Sequence, residues 1–154
     1  MGEARYLCSD SVMTSMTVTC KKQLFSELAA KGAELTGLDQ RLVLKALSER
    51  ERLGPTALGG GIAIPHARLS ELDEIHGLFV QLDRPIEYEA MDGEPIDLVF
   101  MLLAPEQDNA DHLKALAWVS RNLRDKGLCS RLRGAEGKDA ILALFAAGPQ
   151  RDAA

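Results

Sequence analysis

Leu58-Gly59-Gly60-Gly61-Ile62-Ala63-Ile64-Pro65-His66-Ala67 sets three glycines ahead of a short apolar segment that ends on a Pro-His pair. Ile62-Ala63-Ile64 has a β-branched residue at each end, which favours a buried strand. Pro65 has no N–H to donate, so the ladder is expected to stop there. His66 then stands at the mouth of the sheet, where open α/β folds place their ligands. The glycines allow positive φ and close approach of backbone to another group.

Working outward, helical and strand-like segments interleave. Residues 1–10 read as a loose lead-in. Val12–Thr19 alternates weakly and holds a short strand. Thr19 is placed to cap a helix from Cys20 to about Leu35, with Leu24, Phe25, Leu28 and Ala29 inward. Asp39 caps a second helix to about Leu53, which turns Leu42, Val43, Ala46 and Leu47 to the core and stops at Gly54-Pro55. Beyond the glycine run, Leu78–Leu82 reads as a strand ended by Asp83-Arg84-Pro85, with Ile86–Tyr88 pairing briefly. Met91-Asp92-Gly93-Glu94 is a turn. Ile96–Ala104 is near-continuous apolar sequence, as in a central strand. A helix starting at Asp108 or Asp111 runs to about Asp125, with Leu113, Leu116, Ala117, Ser120 and Leu123 inward and Trp118 read as packing. Helices near Leu128–Arg133 and Lys138–Ala147 close the domain, and residues 148–154 fray. This interleaving predicts a layered α/β domain over residues 11–147.

The 154 residues suit one domain. Hydrophobic residues make up 46% and charged residues 27%, enough for a core and ordinary for a water-exposed surface. The net charge is -5 and no Lys/Arg block stands out, which argues against nucleic acid. No apolar stretch is long enough to span a bilayer, and the N-terminus lacks a secretory h-region. Cys8, Cys20 and Cys129 are odd in number and widely spaced, so they read as free thiols in a cytoplasmic protein. Gly59-Gly60-Gly61 is neither a Walker loop nor a dinucleotide fingerprint, because no Gly-Lys-Ser/Thr and no helix follows.

Chemistry centres on the histidines. Neutral imidazole is nucleophilic and titrates near pH 6.5. His66 at a strand end serves either as a carbonyl-bonded structural residue or as a nucleophile. His112 begins a helix, whose dipole disfavours its cation while its free N–H groups suit a phosphate. His76 precedes a strand and reads as surface. The three histidines lack metal-ligand spacing. Arg50 and Arg52 end the second helix. Such a cation either complements the dipole or reaches a phosphate with its two-pronged guanidinium. Arg52 reads as solvent-facing, and Arg68 as solvated or partner-facing.

Glu51, six residues, Leu58-Gly59, two residues and Ile62-Ala63-Ile64-Pro65-His66-Ala67 together resemble the signature of the fructose/mannitol-type IIA proteins of the bacterial phosphoenolpyruvate phosphotransferase system. The similarity runs from about Ser11 to about Phe145. It is nearest the nitrogen-regulatory branch, since mannitol-type members carry glutamate where this chain has Gly60. The resemblance implies a three-layer α/β/α sandwich with a mixed central sheet. It implies that His66 accepts a phosphoryl group on Nε2, that His112 stabilises or orients, and that Arg50 stabilises the phosphate, with no cofactor. The implied donor is an HPr-like phosphocarrier (NPr in this branch), charged from phosphoenolpyruvate by an enzyme I-type kinase. The implied targets are transporters, sensor kinases or stringent-response enzymes, bound according to phosphorylation state. The alternative is a sugar-transport IIA that hands phosphate to a separate IIB protein.

Overall fold

The computed structural model describes residues 6–107 and 109–149. Chain order is β1 (Val12–Met16), α1 (Lys21–Thr36), α2 (Gln40–Arg52), β2 (Ala57–Gly59), β3 (Ile62–Ala63), β4 (His66–Leu69), β5 (His76–Ile86), β6 (Ile96–Pro105), α3 (Asn109–Leu123), α4 (Lys126–Gly134) and α5 (Lys138–Ala147). The strands form one mixed sheet in the order β1-β5-β6-β3-β2, with β4 also on β6. β5 and β6 run antiparallel at its centre, β1 is parallel to β5, and both β3 and β4 are parallel to β6.

Two cores lie on opposite faces. One packs α1 and α2, through Leu24, Leu28, Val43 and Leu47, against Val80, Val99 and Met101. The other packs α3, α4 and α5, through Val119, Leu132, Ile141 and Phe145, against Phe79, Phe100 and Leu102. The result is a three-layer α/β/α sandwich with a mixed sheet. The β6 run Leu98–Ala104 is buried on both faces, which is why it reads as continuous apolar sequence rather than an alternation. None of the described helices is long and apolar enough to cross a membrane.

Several local expectations are corrected. Cys20, not Thr19, is the N-cap of α1, its Sγ accepting from the Gln23 N–H at 3.5 Å. Thr19 instead donates from its backbone N–H and its hydroxyl to Gln23 Oε1. Asp83-Arg84-Pro85 does not end β5. The register shifts after Gln81, and Ile86 rejoins opposite Ile96, so the interruption is a bulge that leaves Pro85 without a ladder bond to donate. At Pro65 the ladder does break, β3 ending at Ala63, but the break is brief. Pro65 lacks a donor, but its carbonyl accepts from Leu102 N–H at 3.1 Å, and pairing resumes at once with His66 opposite Leu102.

Helix α3 is rotated from its expected phase. His112, Ala115, Trp118, Val119, Asn122 and Leu123 face inward, whereas Leu113 is 61% exposed and Ala117 is also exposed. Asp108, one expected start, lies outside the described residues, as do 1–5 of the expected lead-in and 150–154 of the tail. Tyr6 is buried, its ring 5.5 Å from that of Trp118. The three cysteines are unpaired, and Cys129 is buried with its thiol 3.1 Å from Leu123 O.

The glycine run forms the turn of a hairpin between β2 and β3, with φ of +66° at Gly60 and +86° at Gly61. Paired positive φ values are what a two-residue hairpin turn needs. The Arg133 guanidinium clamps the turn. Its Nε and Nη2 donate to the two Asp97 carboxylate oxygens at 2.7 and 2.9 Å, and Nη2 also donates to Gly60 O at 2.8 Å. A Cβ on Gly61 would lie 2.6 Å from Arg133 Nη2 and 2.9 Å from Asp97 Oδ1. Gly61→Val is therefore expected to lose about 2–3 kcal/mol through backbone strain and the broken clamp. Urea denaturation checks this, and an unchanged midpoint would show a clamp that yields freely.

Candidate functional site

His66 opens β4. Ala67 and Leu69 enter the α1/α2 core, so strand alternation turns His66 and Arg68 the other way. His66 is half-buried between the end of α2 and the start of α3. Its Nδ1 lies 2.8 Å from Ile64 O. A carbonyl only accepts, so Nδ1 carries the proton and Nε2 presents its lone pair. Arg50 Nε donates to that lone pair at 3.2 Å, while Arg50 Nη1 donates to Gly54 O at 3.2 Å. His112, the fourth residue of α3, sets its ring centroid 5.7 Å from that of His66.

These groups line an open depression of about 580 Å³ with Glu49, Arg68, Leu53 and Leu113. Thus Arg50, His66 and His112, far apart in sequence, converge. Arg52 is exposed and faces a different groove, beside Lys21 and Lys22. His76 does not join them. It sits across β6, opposite Leu103, with Nε2 3.9 Å from a Glu74 oxygen. Nor do the glycines line this depression, because the hairpin turn carries them to the Arg133 side of the sheet.

Burial lowers the His66 pKa below its ordinary value. The Ile64 hydrogen bond opposes that shift, and the positive charges of Arg50 and Arg68 add to it. His112 is only 2% exposed, and burial followed by repulsion from a charged His66 and from Arg68 brings its pKa down to about 4. Both rings are neutral at pH 7, as a nucleophile and a hydrogen-bonding neighbour require. His112 Nδ1 is buried without a hydrogen-bond partner, which suits the unprotonated nitrogen and leaves Nε2 to carry the N–H.

Two features of the site were missed. Arg68 is two residues beyond His66 on one strand, and period-2 alternation would have placed it beside the imidazole had a strand been recognised past Pro65. Leu53 and Leu113 are 83% and 61% exposed at the rim. Leu113 reads as an inward residue and Leu53 only as a helix end, so neither gives a sequence signal of this kind.

The family model for the phosphoenolpyruvate-dependent sugar phosphotransferase system, EIIA 2, matches residues 5–148. A nitrogen regulatory protein of Bradyrhizobium diazoefficiens is 51% identical over 140 residues, which is 91% of this chain and 92% of the relative. One from Escherichia coli K12 is 42% identical over 125 residues, 80% of this chain and 74% of the relative. The crystal structure of nitrogen regulatory protein IIA-Ntr from Neisseria meningitidis superposes with a TM-score of 0.90 at 30% identity, covering 94% of this chain and 99% of that one. The chain belongs to the EIIA 2 family of the phosphoenolpyruvate-dependent sugar phosphotransferase system.

Proposed function

We propose that this protein is a nitrogen-regulatory IIA phosphoryl carrier of the cytoplasm, formed by one domain over residues 11–147, with His66 as its phosphoryl acceptor. The observation that carries the proposal is the His66 ring itself. Nδ1 is fixed on a carbonyl, and Nε2 faces an open depression with a guanidinium on its lone pair.

The Nε2 lone pair attacks the phosphorus of a donor phosphohistidine, from an HPr-like phosphocarrier such as NPr. A P–N bond forms on His66 as the donor's P–N bond breaks, and that bond's electrons return to the donor imidazole. Both partners are phosphoimidazoles in turn, so no net proton is moved. The positive character that His66 gains is held by the Nδ1–H···O=C bond to Ile64. Arg50 gives up Nε2 and donates to the phosphoryl oxygens, and His112 Nε2–H donates from the other side. Exposed Leu53 and Leu113 offer the apolar contact that a transient protein partner covers.

Phosphorylation adds roughly -1.5 to -2 charges between these leucines. That offsets the positive charge of Arg50 and Arg68 and changes which regulatory targets bind, among them transporters, sensor kinases or stringent-response enzymes. Onward transfer to a separate IIB protein is the weaker alternative, since the relatives at 51% and 42% identity are named nitrogen regulatory proteins.

The test is intact-mass spectrometry after incubation with phosphoenolpyruvate, an enzyme I-type kinase and an HPr-like donor. One acid-labile phosphoryl group gained is the expected result. No gain, with a control acceptor phosphorylated in parallel, would overturn the carrier reading. Arg50→Ala is expected to slow transfer about 10–100-fold while leaving the melting temperature near wild type, and Arg50→Lys not to restore it, because an ammonium cannot fork. Stopped-flow or quench transfer rates measure this, and an unchanged rate would reduce Arg50 to a helix-end cation.

A further inference from the structure

The Glu51 carboxylate, at the last turn of α2, is only 8% exposed and points away from the His66 depression, yet it gathers four donors. Lys21 Nζ from α1 lies 2.9 Å from Oε2, which also accepts from Thr56 N–H at 2.9 Å. The Thr56 hydroxyl donates to Oε1 at 2.7 Å, and the Tyr88 hydroxyl at 3.2 Å. Burial and the Glu51 charge raise the Tyr88 pKa, which keeps that hydroxyl a donor. A buried carboxylate is tolerated only with such a set of partners.

The segment held in this way is the one from which both reactive groups hang. Thr56 O accepts from Ile64 N–H at 2.9 Å, and Ile64 O holds His66 Nδ1 at 2.8 Å. Arg50, the residue before Glu51, is anchored by Nη1 on Gly54 O, two residues before Thr56. Four consecutive links therefore run from carboxylate to Thr56, from Thr56 to Ile64, from Ile64 to the imidazole, and from the imidazole to Arg50. Without the first of them, the connection from Gly54 to Thr56 loses its side-chain anchor, and the Thr56 carbonyl that accepts from Ile64 N–H can shift.

We propose that Glu51 is a positioning residue for phosphoryl transfer, acting through Thr56 and Ile64 to hold the His66 ring in the Nδ1–H tautomer with Nε2 facing the depression. This rests on His66 being the acceptor. Glu51 itself touches neither His66 nor the transferred group.

Glu51→Gln in the full chain is the test, read by two measurements. The first is the rate of phosphorylation by the HPr-like donor, expected to fall about 10–100-fold, the range that small misplacements of a reacting group produce. The second is the ¹⁵N chemical shifts of the His66 ring at a pH where it is neutral. These are expected to move from a pure Nδ1–H form to a mixture, a change that a purely structural clasp would not cause. Glu51→Asp keeps the charge for Lys21 but withdraws it from Thr56, and it gives the same direction of loss should Glu51→Gln not fold. Thr56→Val keeps the backbone link and is expected to leave the tautomer unchanged. A folded Glu51→Gln protein with the wild-type rate and wild-type ring shifts overturns the proposal. Wild-type protein that takes no phosphate counts against the proposed function instead. The ring shifts, which need no phosphate, still decide the role of Glu51.

Discussion

His66→Ala is expected to fold as the parent does and to take up no phosphoryl group, a complete loss where other single changes at the site only slow the reaction. The argument is chemical. His112 has the remaining imidazole nearby, but its Nδ1 is sealed in the protein and its ring has no carbonyl holding Nδ1–H to leave Nε2 nucleophilic. His76 stands across the sheet. Arginine and lysine are protonated at neutral pH and have no lone pair to offer. The fold should persist, because His66 is half-buried and its hydrogen bonds serve the ring more than the ladder, which is carried by backbone pairing with Leu102. Intact mass and circular dichroism on the same sample check both halves. Phosphate on the variant would mean that another residue is the acceptor.

The second large effect is on stability. His112 titrates at about 4 in the folded protein against an ordinary 6.5. Its folded value lies below its unfolded value, so the neutral form is the one the fold favours. Above pH 6.5 both states leave the ring neutral and the stabilisation is fully present. As pH falls from 6.5 toward 4 the unfolded chain takes a proton that the folded one refuses, and stability drops. The gap corresponds to about 3 kcal/mol for His112. His66, shifted the same way by burial, adds in the same window. Urea midpoints at a series of pH values from 7 to 4 measure it, and His112→Asn is expected to flatten the curve between 6.5 and 4. A variant as acid-sensitive as the parent would place the dependence on other groups.

Much of this was legible before any coordinates. The Lys138–Ala147 helix has its expected bounds, and Asp39 caps α2 as its position implies. Arg50, His66 and His112 meet in one depression. The first two rest on local chemistry, a capping side chain and an apolar period; the third rests on the family resemblance.

The misses share a different cause, which is that a neighbour overrides the local rule. Pro65 cannot donate, and the expected strand end followed from that alone. That end is real, but β6 pairs again from His66 onward, and this second strand puts Arg68 on the face of His66. Asp83-Arg84-Pro85 reads as a stop, but β5 is held on both sides, by β1 and β6, and absorbs the stretch as a bulge. Leu113 reads as core because it is leucine, while the phase of α3 is set by Ala115, Trp118 and Val119 against Phe100 and its neighbours. Glu51 was visible only as the first letter of a pattern. Its four donors come from α1, the Thr56 loop and Tyr88, and no local reading brings those together.

The measurement that tests the central claim most directly is ¹H–¹⁵N imidazole NMR of the wild-type protein after charging with phosphoenolpyruvate, an enzyme I-type kinase and an HPr-like donor. Phosphorus coupled to Nε2 of His66, with Nδ1 still protonated and the His112 ring unmodified, is the predicted result. Phosphorus on His112, on His76 or on Nδ1 of His66 would contradict the account of how this site works.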